Sequence, residues 1–585
     1  MKLLFLPLLA AVTVNNLAPL PENDVVFRAL NDEMKRSISR LQLNPYQKPY
    51  FISYGVRESD RVSVSASFGA VNSASHDRHR YLKIDVREGD YKLDSSNANG
   101  RGALSFFRDE IGGPGNELTV DDNYDSIRHE VWLKTDTAYK KAIEDLASKK
   151  AFLQEHDVKD LPDSMSKETP VVEIDKQGVL DTDLENRKAY SRRLSQIFKD
   201  FPKIQKSIVS FEESTWTRWF VNSEGFANRV SKPYVAVTVL AQARTEDGTS
   251  ITDLEYIPAE TFAGLPPEAE VEKRIRKFAD RLVKLSVAKP VEQYRGPMLF
   301  EEQAAADFFA DILQPNLGIS PEPLNKQAQF MPTQKNALAD RLNTRILPAF
   351  ISVVDDPLTK QFGDTKITSC YTVDTDGVRA QKITLVDKGI LKTFASSRVP
   401  THEITHSNGH AAGHKGVTDN LYILSDTKST PKQLREKLIQ LGKDEGLKEV
   451  LIVKRLSNPL AVALDPESIL SRAMSLFAGL AGGAKLSAPV EIYKLSVANG
   501  KEEIVRGAPF GNVTMRILRD IDSVGDDTKA YTQCGATKIF SLSANLENST
   551  IITPSILVRE VELQESPKES PHPPYSKNPY FEGKK

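Results

Sequence analysis

The chain has 585 residues, 40% of them hydrophobic and 27% charged, which gives enough apolar material for about two or three domains and excludes an intrinsically disordered protein. Its 77 basic and 79 acidic side chains nearly cancel and no Lys/Arg-rich run is present, so the footprint of a nucleic-acid binder is missing. Two cysteines, Cys370 and Cys534, exclude a disulfide framework and a cysteine-rich zinc site.

The first segment, 1–18, carries Lys2 and then an apolar stretch from Leu3 to Val14, interrupted by Pro7, before turning polar at Asn15 and Asn16. It reads as a secretory signal peptide cleaved near Leu17-Ala18. The stretch is well short of the roughly 20 apolar residues that span a bilayer. The bland alternative is an apolar strand or helix start. With the leader removed, no membrane span is expected, and the location is periplasmic or secreted.

From Glu22 to Leu43, Val26, Leu30, Met34, Ile38 and Leu41 recur at helical spacing. Tyr50–Val56, Val62–Phe68 and Tyr81–Val86 alternate with a period of two and predict short strands of a half-buried sheet. Asp121–Glu155 reads as helical, and Leu161–Glu168 as a polar linker. Asp183–Lys199 is a helix, Ile204–Phe211, Trp216–Val221 and Tyr234–Ala243 are strands, and Trp216, Trp219 and Phe220 belong to the core. Residues 22–290 are therefore an N-terminal domain of α+β or α/β type.

After the charged helix Glu268–Leu285 the pattern changes at Gly296-Pro297 and becomes strand-rich to residue 563. Hairpins are predicted at Lys388-Gly389 and, with the stronger turn chemistry, at Asn499-Gly500, since a type I′ turn needs positive φ at both central residues. Ser429-Thr430-Pro431 supplies a cap and a first-turn proline for a helix over Lys432–Leu441. The stretch 564–585, with Pro567, Pro571, Pro573, Pro574 and Pro579, reads as an extended tail. The overall class is α+β, with a strand-rich C-terminal domain over 296–563.

Several short stretches fall in a consistent order. They are Asn222-Ser223-Glu224-Gly225, Gly296-Pro297-Met298-Leu299-Phe300 with Ala304-Ala305-Ala306-Asp307-Phe308-Phe309, Val353-Val354-Asp355-Asp356-Pro357, and Thr375-Asp376-Gly377-Val378. Gly389-Ile390-Leu391-Lys392, Ser396-Ser397-Arg398, Ser407-Asn408-Gly409-His410 and Cys534-Gly535 continue the series. Together they resemble the TldD/PmbA family of zinc metallopeptidase-related proteins. In active members a His-Glu-x-x-x-His stretch on the helix opening at the Ala-Ala pair binds zinc, with a later cysteine as third ligand. One-turn spacing sets both imidazoles on one face, and the carboxylate activates a metal-bound water.

Laid on that pattern, Ala310 and Asp311 stand where His-Glu would be and Pro315 where the second His would be. Alanine and proline do not ligate metal, so Asp311 is expected to be a solvated or capping carboxylate. Cys534 is retained and is read as a relic lining the old site, and Cys370 as a core residue. No bound cofactor is expected.

A second constellation keeps zinc open as an alternative. His402-Glu403-Ile404-Thr405-His406 is a literal His-Glu-x-x-His, and His410 and His414 continue the spacing. On a helix, His402, His406 and His410, with Cys534 close by, would hold zinc and Glu403 would act as general base. Pro400, the β-branched Ile404 and Thr405, and Ser407-Asn408-Gly409 argue instead for a loop. In the resembling family this loop faces the cavity, so Asn408, Gly409, His410 and Cys534 are the cavity or substrate residues that the resemblance implies. No Gly-x-Ser-x-Gly elbow or phosphate-binding loop is present, and Gly112–Gly115 is a glycine-rich loop.

The resemblance implies a subunit that pairs with a TldD-like paralogue, or with itself, around a chamber receiving peptides. The lost ligands make a non-catalytic, TldE-like subunit the leading expectation. An active zinc peptidase using the histidine cluster and a secreted peptide-binding protein without hydrolysis are the alternatives.

Overall fold

A computed structural model describes residues 20–98, 116–321, 324, 336–458, 461, 486–511, 513–533, 549–565 and 578–582. The expected signal peptide, the glycine-rich loop at 112–115, Cys534 and most of the stretch 564–585 lie outside them.

The first sheet is assembled from long strands. β1 (Phe51–Ser67) and β2 (Ala70–Arg87) form one hairpin, and β1 also pairs with β5 (Ile204–Asn222), which pairs in turn with β6 (Ala227–Arg244). The short β3 (Glu117–Leu118) and β4 (Val172–Ile174) and the ten-residue β7 (Ser250–Ala259) complete the order β3-β2-β1-β5-β6-β4, with β7 also on β6. Only β4 runs parallel to its neighbour. Helices and strands are therefore segregated in the α+β manner, not alternating along a parallel sheet.

The sequence pattern divided β1 at Glu58–Arg61 and β5 at Glu212–Thr215, yet both strands run through. β1 is hydrogen-bonded on both edges across this stretch, so the ladder outweighs the poor strand propensity of charged residues. The first half of β2 was missed for a related reason: His76 to His79 are polar on both faces, and no alternation marks them as strand.

Period-two alternation puts Ile52, Tyr54, Val56 and Val64 of β1, Val209, Phe211, Trp219 and Val221 of β5, and Val235 to Ala241 at odd positions of β6 on one face. Four helices cover that face: α1 (Val25–Arg40), α2 (Tyr124–Glu155), α3 (Leu184–Gln196) and α4 (Glu268–Val287). α1 buries Val26, Phe27, Leu30 and Met34 at three- and four-residue spacing, and Asp24 caps it by accepting the Phe27 N–H at 2.8 Å. The expected pair Trp216 and Trp219 is buried, and the indole of Trp219 donates to Asp24 Oδ2 at 2.9 Å. Phe220 points to the other face, where Phe226 and Val378 meet it.

The second half contains two six-stranded sheets. In one, β8 (Tyr294–Phe300) lies between β13 (Glu449–Leu456) and β19 (Ile556–Leu563), with β14 (Pro489–Ser496), β15 (Glu502–Val505) and β16 (Ile521–Val524) outside them. In the other, β9 (Ile351–Asp355) lies between β10 (Ile383–Asp387) and β12 (Asn420–Ser425). The sheet is completed by β11 (Ile390–Leu391), β17 (Lys529–Gln533) and β18 (Ser549–Thr553).

Alternate residues of the first of these sheets face opposite ways. Met298, Phe300, Leu451, Val453, Ile556 and Val558 join the core around α5 (Gln303–Ile312), whereas Leu299, Val450, Ile452 and Leu557 pack on α6 (Pro431–Asp444). Each such fully buried aliphatic side chain stabilises the fold by roughly 1.5–3 kcal/mol relative to an exposed one. The start of α6 matches the sequence signal: Thr430 and Gln433 form a reciprocal capping box behind Pro431.

The two hairpins exchange their expected roles. Lys388-Gly389 is the true two-residue turn, with φ of 46° and 80°, while Asn499 keeps an ordinary φ and only Gly500 is left-handed. Residues 497–500 make a longer loop closed by Gly500 N–H to Ser496 O at 2.8 Å. Cys370, expected in the core, is half-buried in a loop. The expected linker 161–168 is packed, with Ser164, Met165 and Ser166 buried.

Candidate functional site

Most of the ordered motif stretches converge in the loops between the sheets. Gly409 has φ of 75°, and a Cβ there would lie 2.1 Å from the Arg379 carbonyl oxygen, so glycine is required at the turn Ser407–His410. Asn408 holds this turn to the preceding segment: its Oδ1 accepts the Ser396 N–H at 2.9 Å and its Nδ2 donates to Phe394 O at 2.8 Å.

The turn buries His410 at 1% exposure beside Asp355, which is fully buried. His410 Nδ1 sits 2.9 Å from the Asn408 carbonyl oxygen and Nε2 sits 3.3 Å from Asp355 Oδ2. The second contact is close but poorly aligned, so Nε2 has a charge partner without a well-formed hydrogen bond. Oxygen atoms face both ring nitrogens, an environment that favours a proton on each. Burial lowers the imidazole pKa, but the Asp355 carboxylate outweighs it and the net shift is upward. Asp355 also accepts the N–H groups of Asp419 and Asn420 at 3.2 and 2.7 Å.

A second charged group lies nearby. Arg398, 3% exposed, donates to Glu224 Oε1 at 3.0 Å and to Ser166 O at 2.6 Å, and Tyr91 donates to the same Glu224 oxygen at 2.6 Å. Asp374 accepts three backbone N–H groups, from Asp376, Val378 and Ala411, each at 2.9 Å. Burial and the neighbouring Asp376 push its pKa up to about 7 against those donors. The arrangement ties strand end 222–224, the linker around 166 and the loop 374–411 into one polar core. It binds and orients backbone; it offers no nucleophile paired with a base.

The alternative histidine cluster does not assemble. Residues 401–406 are an irregular loop closed by Thr401 and Ile404, not a helix, and His402, Glu403 and His406 are exposed. His402 lies 3.9 Å from Asp160 and His406 3.4 Å from Glu168, while His410 turns inward to Asp355. Among the described residues, no three His, Cys, Asp or Glu side chains converge as a metal site.

α5 carries the stretch that the resemblance sets against the His-Glu-x-x-x-His motif. It ends at Ile312, and Pro315 sits exposed in the following 3₁₀ turn, Gln314–Asn316. Ala310 packs against the core. Asp311 corrects the expectation of a solvated or capping group: it is half-buried, and its Oδ2 accepts the Ser487 N–H at 2.8 Å. One turn earlier is Asp307, which sequence reasoning had passed over as part of a motif; its Oδ2 accepts the Leu456 N–H at 3.3 Å.

Burial first, and then the Asp311 charge, push the pKa of Asp307 up to about 7, with Arg455 and Gln533 opposing. Burial alone pushes Asp311 up to about 6, and its contacts with Ser487 oppose. Both residues are half-buried, so each keeps some accessible surface while largely enclosed by protein. Zinc does not fit α5: Ala310 and Pro315 have no side-chain donor atom, and the remaining motif position, Asp311, is engaged by a backbone N–H. The spacing of Asp307 and Asp311 was readable as two carboxylates on one helical face; their burial was not.

Two sheets packed around α5, with motif loops gathered into a buried Asp–His and Arg–Glu core, make a mixed α+β fold. Residues 293–459 match the family described as PmbA/TldA metallopeptidase C-terminal domain. A metalloprotease of Methanothermobacter thermautotrophicus is 24% identical over 195 residues, covering 33% of this chain and 39% of that protein. One from Archaeoglobus fulgidus is 31% identical over 90 residues, 15% of this chain and 20% of that protein. The chain thus aligns with less than half the length of either curated relative. Among solved structures, TldE from Thermococcus kodakarensis superimposes with a TM-score of 0.51 at 16% identity, covering 88% of this chain and 97% of that one. A candidate DNA gyrase modulator from Thermotoga maritima gives 0.55 at 16% identity, with 88% and 95% coverage. The fold is shared over nearly the whole length, and residues 293–459 match the C-terminal domain of the PmbA/TldA family.

Proposed function

We propose that this chain is the non-catalytic, TldE-like subunit of an exported peptidase complex acting on unfolded peptides. The observation that carries the reading is α5, which ends at Ile312 and presents Ala310, Asp311 and an off-helix Pro315 where active relatives carry zinc ligands. The likeness to TldE from Thermococcus kodakarensis supports the subunit role. The partner is a TldD-like paralogue with an intact His-Glu-x-x-x-His motif, or a second copy of this chain. No resident metal belongs to this reading, and a periplasmic or secreted location follows from the apolar leader.

The test is metal analysis and peptide hydrolysis on the purified full chain, alone and with the paralogue. Zinc well below stoichiometric and cleavage only in the mixture are expected. A stoichiometric, chelator-resistant zinc in the isolated chain would overturn the proposal. Cleavage by the isolated chain would do the same.

A further inference from the structure

The far end of the first sheet carries a feature unrelated to the motif loops. β1 stops at Ser67 while β5 continues beyond it toward Ile204, leaving a cavity of about 450 Å³ beside the β1–β2 turn. Phe68, Gln205, Ser207, Gln242 and Thr252 line it, together with Asn578 from the far C-terminal stretch.

Three observations mark it as a built site. First, Gln205 sits in a β-bulge between Ile204 and Lys206, a device that re-aims a side chain. Second, the amides of Gln205 and Gln242 each have a buried oxygen with no hydrogen-bond partner, and Gln242 is 3% exposed. Its nitrogen donates to Thr252 at 3.3 Å, leaving the other end of the amide to face the cavity alone. A buried polar atom without a partner is unfavourable, and a ligand with amide groups would relieve it.

Third, the turn itself is strained. Phe68-Gly69 is a two-residue hairpin loop with φ of 54° and 86°, a type I′ geometry that favours Asn-Gly. Phenylalanine there is unfavourable for the turn, so its ring must serve something else. It is clasped by Tyr580 edge-on, with centroids 5.0 Å apart, and by Phe581 at 6.2 Å. Lys199 Nζ lies 5.7 Å from the Phe68 ring and 5.9 Å from that of Tyr580. Asn578 caps the short turn carrying the two aromatics by accepting the Tyr580 N–H at 3.0 Å.

We infer that the cavity and the Phe68 turn form a peptide-binding site whose resident ligand is the chain's own segment Asn578–Glu582. Its aromatic pair is held at Phe68 and Lys199, and the unpartnered Gln205 and Gln242 oxygens beside it are open to the N–H groups of a bound peptide. The inference is independent of the proposed subunit role.

The test uses the full chain with Tyr580→Ala and Phe581→Ala, which vacates the site without shortening the protein, and a fluorescent peptide of residues 574–585. Polarisation titration is expected to show saturable binding at least about tenfold tighter than to the unsubstituted chain, where the resident segment competes. Adding Phe68→Asn is expected to weaken that binding at least about tenfold while Tm holds or rises, because Asn suits the turn better. Gln242→Leu serves as a second variant on the amide contacts and should also weaken binding. Equal affinity for the vacated and unsubstituted chains, or binding indifferent to Phe68→Asn, overturns the proposal.

Discussion

At the scale of single residues, His410 joins sequence to structure most directly. Its motif, Ser407-Asn408-Gly409-His410, was legible because Gly409 and Asn408 each have a local role: one accepts a left-handed backbone and the other ties the turn to the segment Phe394–Ser396. The direction of the imidazole was not legible, because Asp355 lies 55 positions earlier and only the sheet order brings it close. The folded pKa of His410 is raised, so its stabilising contribution is full below the unfolded value near 6.5 and is lost as pH rises through the folded value. His410→Gln keeps a donor for only one of the two acceptors and leaves Asp355 without its counter-charge. Removing one member of a buried pair costs about 3–5 kcal/mol. The expected outcome in urea unfolding at pH 6 is a loss of that size, shrinking as pH rises and the parent histidine itself gives up its proton. A pH-independent loss would mean that His410 acts by packing alone.

At the scale of elements, the sequence reported helices well and strands in pieces. α6 was legible from Ser429-Thr430-Pro431 because capping chemistry is local. The continuity of β1 and β5 through Glu58 and Glu212 was hidden because pairing on both edges, not propensity, holds those stretches extended. α5 shows both effects. Its apolar face, Ala304, Ala305, Phe308, Phe309 and Ile312, is plain in the sequence, while the burial of Asp307 and Asp311 depends on the distant Leu456, Ser487 and Gln533. Because both native pKa values lie above the ordinary carboxylate value, the folded chain retains protons that the unfolded chain releases. Stability therefore falls as pH rises from about 4 to about 7 through this pair. Asp307→Asn removes the larger share of that dependence. It is expected to raise stability by about 1–3 kcal/mol at pH 8 and to change it little at pH 4, measured by thermal unfolding at the two pH values. A loss of stability at pH 8 would show that the ionised Asp307 is held by Arg455 more strongly than burial opposes it.

At the scale of the whole molecule, one ionic cluster fastens the first sheet to the second half. Asp253 of β7, fully enclosed, receives Arg281 of α4 at 2.7 Å and lies 3.5 Å from Arg455 of β13. Arg455 also donates to Leu254 O at 2.8 Å and lies 3.7 Å from Glu255, and Arg281 reaches Glu491 of β14 at 3.7 Å. Burial raises the pKa of Asp253, but Arg455 and Arg281 reverse the shift, so this carboxylate is held ionised. Its contribution is therefore present above the unfolded pKa and lost as pH falls through the lower folded value. Arg455 further moderates Asp307, which links the fastening to α5. Replacing Arg455 by Ala removes the backbone contact and one of two counter-charges, at a cost of about 3–5 kcal/mol borne at the junction and not in either core. Calorimetry of Arg455→Ala should then show the lowest-temperature transition moved down by several degrees and separated from the rest, while Arg455→Lys, which keeps the charge but not the planar fork, should fall between. The same substitution should raise the pKa of Asp307, since the cation that opposes its burial is gone. If Arg455→Ala lowers every transition equally, the cluster stabilises one cooperative unit and does not couple two.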